Sequence, residues 1–149
     1  MSTSKYVSDI KIVNQNQEIV YNYLSNFENL SKFVNEGLLS KLTEQVPQIK
    51  ISNFESDIDS CRFQIAGMGL AEIRIIEREP HKTIKVKSSG KLPLDITFWI
   101  QLLPVSAYES KLRITLDAEM SMMIKMMVNS KLEEGINRFA DMLASLPYK

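Results

Sequence analysis

Chemically reactive side chains are few in this sequence, which has one cysteine, Cys61, and one histidine, His81. Cys61 stands beside Phe63 in an alternating apolar segment, with no second cysteine and no histidine close in sequence. We therefore expect a buried, unreactive thiol. His81 follows Pro80 in a charged turn. A general base needs an orienting partner and a pocket, and neither is visible there, so we expect a solvated side chain.

Two acidic pairs are the other candidates for a metal site or an acid–base dyad. Asp57 and Asp59 fall in a predicted turn, where aspartate is common because it bonds to nearby backbone N–H groups. Glu77 and Glu79 flank Arg78, which favours a solvated, ion-paired strand end. The sequence therefore predicts no catalytic residue, no metal site and no cofactor, and it favours a non-enzymatic protein.

Methionine is the most unusual feature of the composition. The chain has 8 methionines, and five of them lie between Met120 and Met127. Methionine is flexible and polarisable, and it is common on apolar surfaces that accept varied ligands. Two interpretations remain open: these side chains line an apolar cavity, or they fill an ordinary core.

The overall composition is that of a globular protein. The chain has 149 residues, 44% of them hydrophobic and 24% charged, which predicts a single domain over residues 1–149. Lys plus Arg and Asp plus Glu are both 18, so nothing in the net charge favours nucleic acid as a partner. No apolar run reaches the ~20 residues that span a bilayer, and the N-terminus does not resemble a signal peptide. We expect no membrane insertion and a cytoplasmic location.

The elements that position these residues follow from the periodicity of apolar positions. Residues 6–13 predict a strand, and residues 17–26 predict an amphipathic helix capped by Asn14 or Asn16. Asn29 can cap a second short helix that carries Leu30, Phe33 and Val34, and another helical turn is predicted over residues 38–42. Six further strands are predicted over residues 49–54, 61–65, 71–75, 84–86, 94–102 and 112–118.

Most of these strands alternate apolar and polar residues, so the sheet has one dry and one wet face. A dry face needs a cover, and the long amphipathic segment 122–146, which Ser121 can cap, is the available one. The sequence therefore predicts an α+β protein: a curved, seven-stranded antiparallel sheet wrapped around a long C-terminal helix, with two short N-terminal helices.

The order of elements and three stretches of sequence resemble a known superfamily. The stretches are NQNQEIVYNYLSNFENL at residues 14–30, GMGLAEIRIIEREPHKTI at residues 67–84 and FWIQLLP at residues 98–104. They resemble the START-like superfamily, also called Bet v 1-like or SRPBCC, and within it a bacterial subgroup of small proteins. The resemblance implies the helix-grip fold, which relatives use as lipid carriers, hormone receptors, polyketide cyclases and chaperone co-factors. Fold alone does not choose among these functions.

The first functional hypothesis is non-enzymatic binding of a small hydrophobic or lipid-like molecule between the sheet and the C-terminal helix. A polyketide cyclase/dehydratase-like enzyme and a protein-interaction module without a cavity are the alternatives. Tyr23 could add a hydroxyl at the mouth of the cavity. The predicted apolar wall consists of Phe63, Ile73, Ile84, Val86, Ile96, Phe98, Ile114, Leu116, Met123, Met127 and Phe139.

Trp99 is the remaining candidate. Alternation places it on the wet face, together with Thr97 and Gln101. Tryptophan frequently anchors interfaces, which predicts a homodimer through this face. Alternatively, a neighbouring side chain or the chain termini cover the ring.

Overall fold

The structure, a computed structural model, describes residues 2–31, 51–65, 69–90, 94–146 and 148. These residues form an open antiparallel sheet with a long C-terminal helix, which confirms the predicted α+β helix-grip fold. The strands are β1 (Ser2–Val7), β2 (Lys11–Val13), β3 (Ile51–Ser56), β4 (Ser60–Ile65), β5 (Gly69–Glu79), β6 (Thr83–Gly90), β7 (Leu94–Ser106) and β8 (Glu109–Met120). The helices are α1 (Gln17–Leu24), α2 (Glu28–Ser31) and α3 (Met122–Ala144). In this part of the chain no helix is long and apolar enough to cross a bilayer.

The strand order is β1-β8-β7-β6-β5-β4-β3, and β2 also pairs with β8. The predicted first strand is thus split in two, because the register shifts within it. Val7 pairs with Thr115, and Lys11 pairs with Leu112. The first strand therefore advances by four residues where β8 advances by three. Such an extra residue is a β-bulge. Ser8 compensates locally, since its Oγ accepts a hydrogen bond of 2.9 Å from the backbone N–H of Ile114.

Alternation along the strands separates an inner face, toward α3, from an outer face. Lys85, Trp99 and Arg113 lie on the outer face, between residues that point inward. The fully buried inner side chains make the core, as the sequence predicts. They include Ile75, Ile84, Val86, Phe98, Ile100, Leu102, Leu112, Ile114 and Ala118.

The N-terminal helices begin at asparagine caps. The side chain of Asn16 accepts a 2.8 Å hydrogen bond from the backbone N–H of Glu18, which confirms the predicted start of α1. The prediction that Asn29 caps the second helix is wrong. Helix α2 begins at Glu28, whose backbone N–H donates to Asn26 Oδ1 at 3.0 Å. The predicted helical residues 33–34 and 38–42, and the predicted strand start at residues 49–50, lie outside the described residues.

The C-terminal helix crosses the inner face of the sheet. Ser121 caps it, because its side chain accepts a hydrogen bond from the backbone N–H of Ile124 at 3.3 Å. Ile136, Ala140 and Leu143 are buried against the sheet. These positions keep the spacing of three to four residues that the sequence predicts for the covered face.

The acidic pair at the β3–β4 turn is structural. Asp57 Oδ1 accepts hydrogen bonds from the backbone N–H of Asp59 at 2.9 Å, from the backbone N–H of Ser60 at 2.8 Å and from the Ser60 hydroxyl at 3.0 Å. Arg62 adds an ion pair of 3.2 Å. The Ser60 hydroxyl, the backbone donors and Arg62 together lower the pKa of Asp57 from its ordinary 3.8 to about 2.

This turn predicts a defined dependence of stability on acid. A carboxyl group whose pKa is lower in the folded state stabilises the fold fully above its unfolded pKa and loses that contribution as the pH falls through its folded pKa. We expect Asp57→Asn to lower the free energy of unfolding at pH 7. We expect the difference from the parent to shrink as the pH falls from about 4 to about 2. Denaturant titrations of both proteins across this range test this, and a difference independent of pH would contradict it.

Candidate functional site

A cavity of about 230 Å³ lies between the inner face of the sheet and α3. Its wall combines side chains from four strands with one face of the helix. The strands contribute Phe63, Ile73, Ile96, Phe98, Ile114 and Leu116. The helix contributes Leu132, Gly135, Ile136 and Phe139.

The cavity has a buried floor and a half-buried rim. Ile114, Ile136 and Phe98 form the floor and are 0%, 5% and 6% exposed. Phe98 meets Phe139 edge to face, with ring centroids 5.9 Å apart and an interplanar angle of 82°. This geometry suits the opposite partial charges of a ring edge and a ring face. The floor is therefore fixed by aromatic packing, whereas Phe63 on the rim is only partly covered.

Three small residues lie in or beside the cavity wall. Ala118 pairs with Ile96 across β7 and β8, and Ala140 lies one turn beyond Ile136 on the helix; both alanines are 0% exposed. Gly135 has no side chain, and a Cβ built on it would have no other atom within 4 Å. Of these three small residues, Gly135 lines the cavity, whereas Ala118 and Ala140 belong to the packed core beside it.

The wall decides what chemistry the cavity supports. Its described lining is aliphatic and aromatic and contains no ionisable side chain. Such a wall holds carbon by excluding water, and it cannot bind an ion or move a proton. Elsewhere in the described part of the chain, no group of three or more histidine, cysteine, aspartate or glutamate residues is arranged to hold a metal ion.

Most of the residues predicted to form the wall come together in the structure. The predicted residues that line the cavity are Phe63, Ile73, Ile96, Phe98, Ile114, Leu116 and Phe139. Ile84 and Val86 do not line it, since both are completely buried in the packed core. Alternation predicts which residues face inward, but it does not tell which part of the inner face is tightly covered.

Met123 and Met127 are also outside the cavity, which corrects their predicted position. They are 73% and 64% exposed. At about 100° per residue, Met123 lies about 180° around the helix from Leu132, so it points away from the sheet. The periodicity of the helix contradicted this assignment, which rested on the general behaviour of methionine.

Tyr23 and Trp99 lie elsewhere. The Tyr23 ring packs edge-on against Tyr148 at 5.3 Å, and its hydroxyl donates to the backbone oxygen of Asn29 at 3.3 Å, so it is not in the cavity wall. Trp99 lies half-buried on the outer face, with Lys85 Nζ 5.5 Å from its ring centroid. A homodimer through this face stays a prediction, which a monomer in sedimentation at high micromolar concentration would contradict.

Three residues of the wall were missed by the sequence analysis as ligand contacts. Leu132, Gly135 and Ile136 fall within the amphipathic segment 122–146 that is predicted to cover the sheet. Leu132, Ile136 and Phe139 are separated by four and then three residues, which places them on one face of a helix. This spacing could have identified Leu132 and Ile136 as neighbours of Phe139 in the wall.

Cys61 lies on the inner face of β4, paired with Ile73, and is fully buried. Burial, and secondarily the charge of Asp57, raises the pKa of the thiol to about 12. Because the thiolate is the reactive form, the native protein holds very little of it at neutral pH. The structure thus places Cys61 in the core, as the sequence predicts, and the nearby charge of Arg62, which favours the thiolate, is outweighed by burial.

We expect Cys61 in the native protein to react with dithionitrobenzoate at least about a hundredfold more slowly than in the unfolded chain, because both access and ionisation are suppressed. Absorbance at the thionitrobenzoate band, with and without guanidinium, measures this ratio. Prompt stoichiometric labelling in buffer alone would show that the β4 face opens readily.

Comparison with known proteins gives the fold. No protein-family model and no curated protein sequence matches the chain. Among solved structures, it is similar to truncated norcoclaurine synthase from Thalictrum flavum, with TM-score 0.62 and 13% identity over 100% of this chain and 98% of that one. It is also similar to the Mll3558 protein from Rhizobium loti (TM-score 0.63, 12% identity, 97% and 96% covered). A third similar structure is TTHA0849 from Thermus thermophilus, with TM-score 0.60 and 13% identity over 95% of this chain and 94% of that one. These neighbours have Bet v 1-like, polyketide cyclase-type folds.

Proposed function

We propose that this protein binds a small apolar molecule in the cavity beneath α3, without catalysing a reaction. The observation that carries the proposal is a cavity of about 230 Å³ whose described wall is entirely apolar. Apolar pockets with a fixed shape are the usual sites for small ligands.

The size of the cavity narrows the ligand class. Sites for drug-sized molecules measure roughly 300–1,000 Å³, whereas a dry cavity of about 150 Å³ accommodates benzene. At about 230 Å³ the cavity suits one aromatic ring system or a short acyl chain rather than a whole lipid. Phe98 and Phe139 present ring faces and edges that favour an aromatic ligand.

The expected affinity follows from the buried area. A ring-sized ligand buries about 200–250 Å², which at about 25 cal/mol per Å² gives roughly 5–6 kcal/mol before the cost of ordering the ligand. A binding free energy of about 5–6 kcal/mol corresponds to a Kd of about 0.04–0.2 mM, and the ordering cost weakens it toward about 1 mM, since the wall adds no strong polar contact.

A solved neighbour supports an aromatic ligand. The norcoclaurine synthase of Thalictrum flavum has been seen in complex with dopamine and hydroxybenzaldehyde, at TM-score 0.62 and 12% identity to this chain over 96% of it. That synthase and this chain share a fold, and single-ring molecules bind the synthase. Binding rather than catalysis is proposed for this chain because the described cavity wall carries no group that transfers protons.

Indole is a suitable probe because it is compact, aromatic and uncharged. Titration of the ¹⁵N-labelled protein with indole is expected to shift amide signals of β7, β8 and the middle of α3 in a saturable manner. Native mass spectrometry of protein purified from its own host complements this by revealing any retained ligand. Unsaturable shifts spread over the whole surface would overturn the proposal.

A further inference from the structure

A second concavity, of about 410 Å³, is lined by outer-face residues of β7 and β8, among them Gln101, Lys111 and Arg113, and also by Ile10 and Gln17. We call it the outer cleft. It is bounded by the β5–β6 turn, the last part of β7 and the first part of β8. Its lining includes three cationic side chains, Lys82, Lys111 and Arg113, and one carboxylate, Glu79.

The outer cleft carries more positive than negative charge. None of Lys82, Lys111 and Arg113 forms an ion pair with any residue that the structure describes. Clustered like charges repel one another, so an arrangement of this kind is favoured when an anion binds between them. Glu79 offsets one of the three charges, which leaves the outer cleft with an excess of two positive charges.

Gln101 adds an uncharged donor to the outer cleft. Its Oε1 accepts hydrogen bonds from Arg113 Nε at 3.1 Å and from Thr115 Oγ1 at 3.0 Å. Arginine can only donate, so the oxygen of Gln101 must face Arg113 and the orientation of the amide is fixed. The amide nitrogen of Gln101 has no partner among the described residues, nor have the terminal guanidinium nitrogens of Arg113.

The wall of the outer cleft also has an apolar part. Ile10 and Leu103 line it and are 55% and 60% exposed, and Pro104 lies next to Leu103. Exposed aliphatic side chains beside unpaired donors match a ligand that has an anionic end and an apolar body.

We propose that the outer cleft binds a small organic oxyanion, a phosphate monoester or a carboxylate on a compact apolar body. The oxyanion contacts Arg113, Lys111 and the Gln101 amide, and the apolar body lies against Leu103 and Ile10. Arg113 suits this role because its planar fork presents two parallel donors to an oxyanion. The proposal does not depend on the ligand of the inner cavity.

Calorimetric titration with phenyl phosphate tests this at physiological ionic strength. The variant Lys111→Gln/Arg113→Gln is expected to bind at least about tenfold more weakly than the parent. The matched control, Lys5→Gln/Lys87→Gln, removes the same charge from exposed outer-face positions that do not line the outer cleft, and it is expected to bind within about twofold of the parent.

The location of binding is checked by ¹⁵N NMR of the parent protein. Phenyl phosphate is expected to shift the Gln101 side-chain amide, the Arg113 Nε signal and the backbone of residues 101–104. Benzoate is expected to shift the same signals, which shows that the oxyanion is recognised.

Two results would overturn the proposal. One is an equal weakening of phenyl phosphate binding in both double variants, and the other is a set of shifts confined to the inner cavity. Indole binding in the Lys111→Gln/Arg113→Gln variant is expected to be unchanged, which separates the two sites.

Discussion

Replacing Gly135 with phenylalanine is expected to weaken indole binding by at least about 100-fold. Gly135 lines the cavity, and open space surrounds the position of its missing Cβ. Gly135 is itself exposed at the rim, so a phenyl ring placed there has room to turn into the cavity, where it would occupy a volume similar to that of the proposed ligand. Calorimetry or NMR titration with indole measures the loss.

Gly135→Ala is the matched control. Its single methyl group leaves most of the cavity free, so indole affinity is expected to stay within about twofold of the parent. The alanine is also expected to raise the free energy of unfolding by about 0.5–1 kcal/mol, because glycine is unfavourable inside a helix. Unchanged indole binding in the phenylalanine variant, with its fold intact by circular dichroism, would contradict the assignment of this cavity as the binding site.

Phe98→Ala is expected to lower the free energy of unfolding by about 3–5 kcal/mol. The Phe98 ring is 6% exposed and packs edge to face on Phe139. Its loss removes buried apolar area and the aromatic pair, and enlarges the cavity further. Equilibrium unfolding in guanidinium chloride measures the change.

Val7→Ala is the control for Phe98→Ala, because Val7 lies on the sheet but is 49% exposed. Val7→Ala is expected to lower the free energy of unfolding by no more than about 0.5 kcal/mol. Saturating indole is expected to stabilise the Phe98→Ala protein by a further amount that grows with ligand concentration, since binding to the native state adds to its stability. If Phe98→Ala lowers the free energy of unfolding by less than about 1 kcal/mol, Phe98 is not part of a tightly packed floor.

The sequence was sufficient for those features that depend on local periodicity. The inward positions of β7, such as Phe98 and Ile100, follow from strict alternation, and the start of α3 follows from Ser121 and the change of period after it. Seven residues of the predicted wall line the cavity for the same reason.

The remaining features depend on contacts between distant parts of the chain. At the bulge between β1 and β2, the Ser8 hydroxyl accepts the hydrogen bond of the backbone N–H of Ile114, which is 106 residues away. The exclusion of Ile84 and Val86 from the wall depends on how tightly the core packs around them. The outer cleft was missed because alternation predicts only that Lys111 and Arg113 face outward. It does not predict that Ile10 and Gln101 line the same concavity.

The pairing of β1 with β8 has a consequence for how the protein is made. Ser2 lies opposite Met120, so β1 has no sheet neighbour until β8, more than a hundred residues later, has been synthesised. Contacts so distant in sequence close large loops, which slows folding of single domains into the millisecond-to-second range. During synthesis β1 therefore stays unpaired until β8 has been made, and the inner apolar face of the sheet stays uncovered until α3 follows.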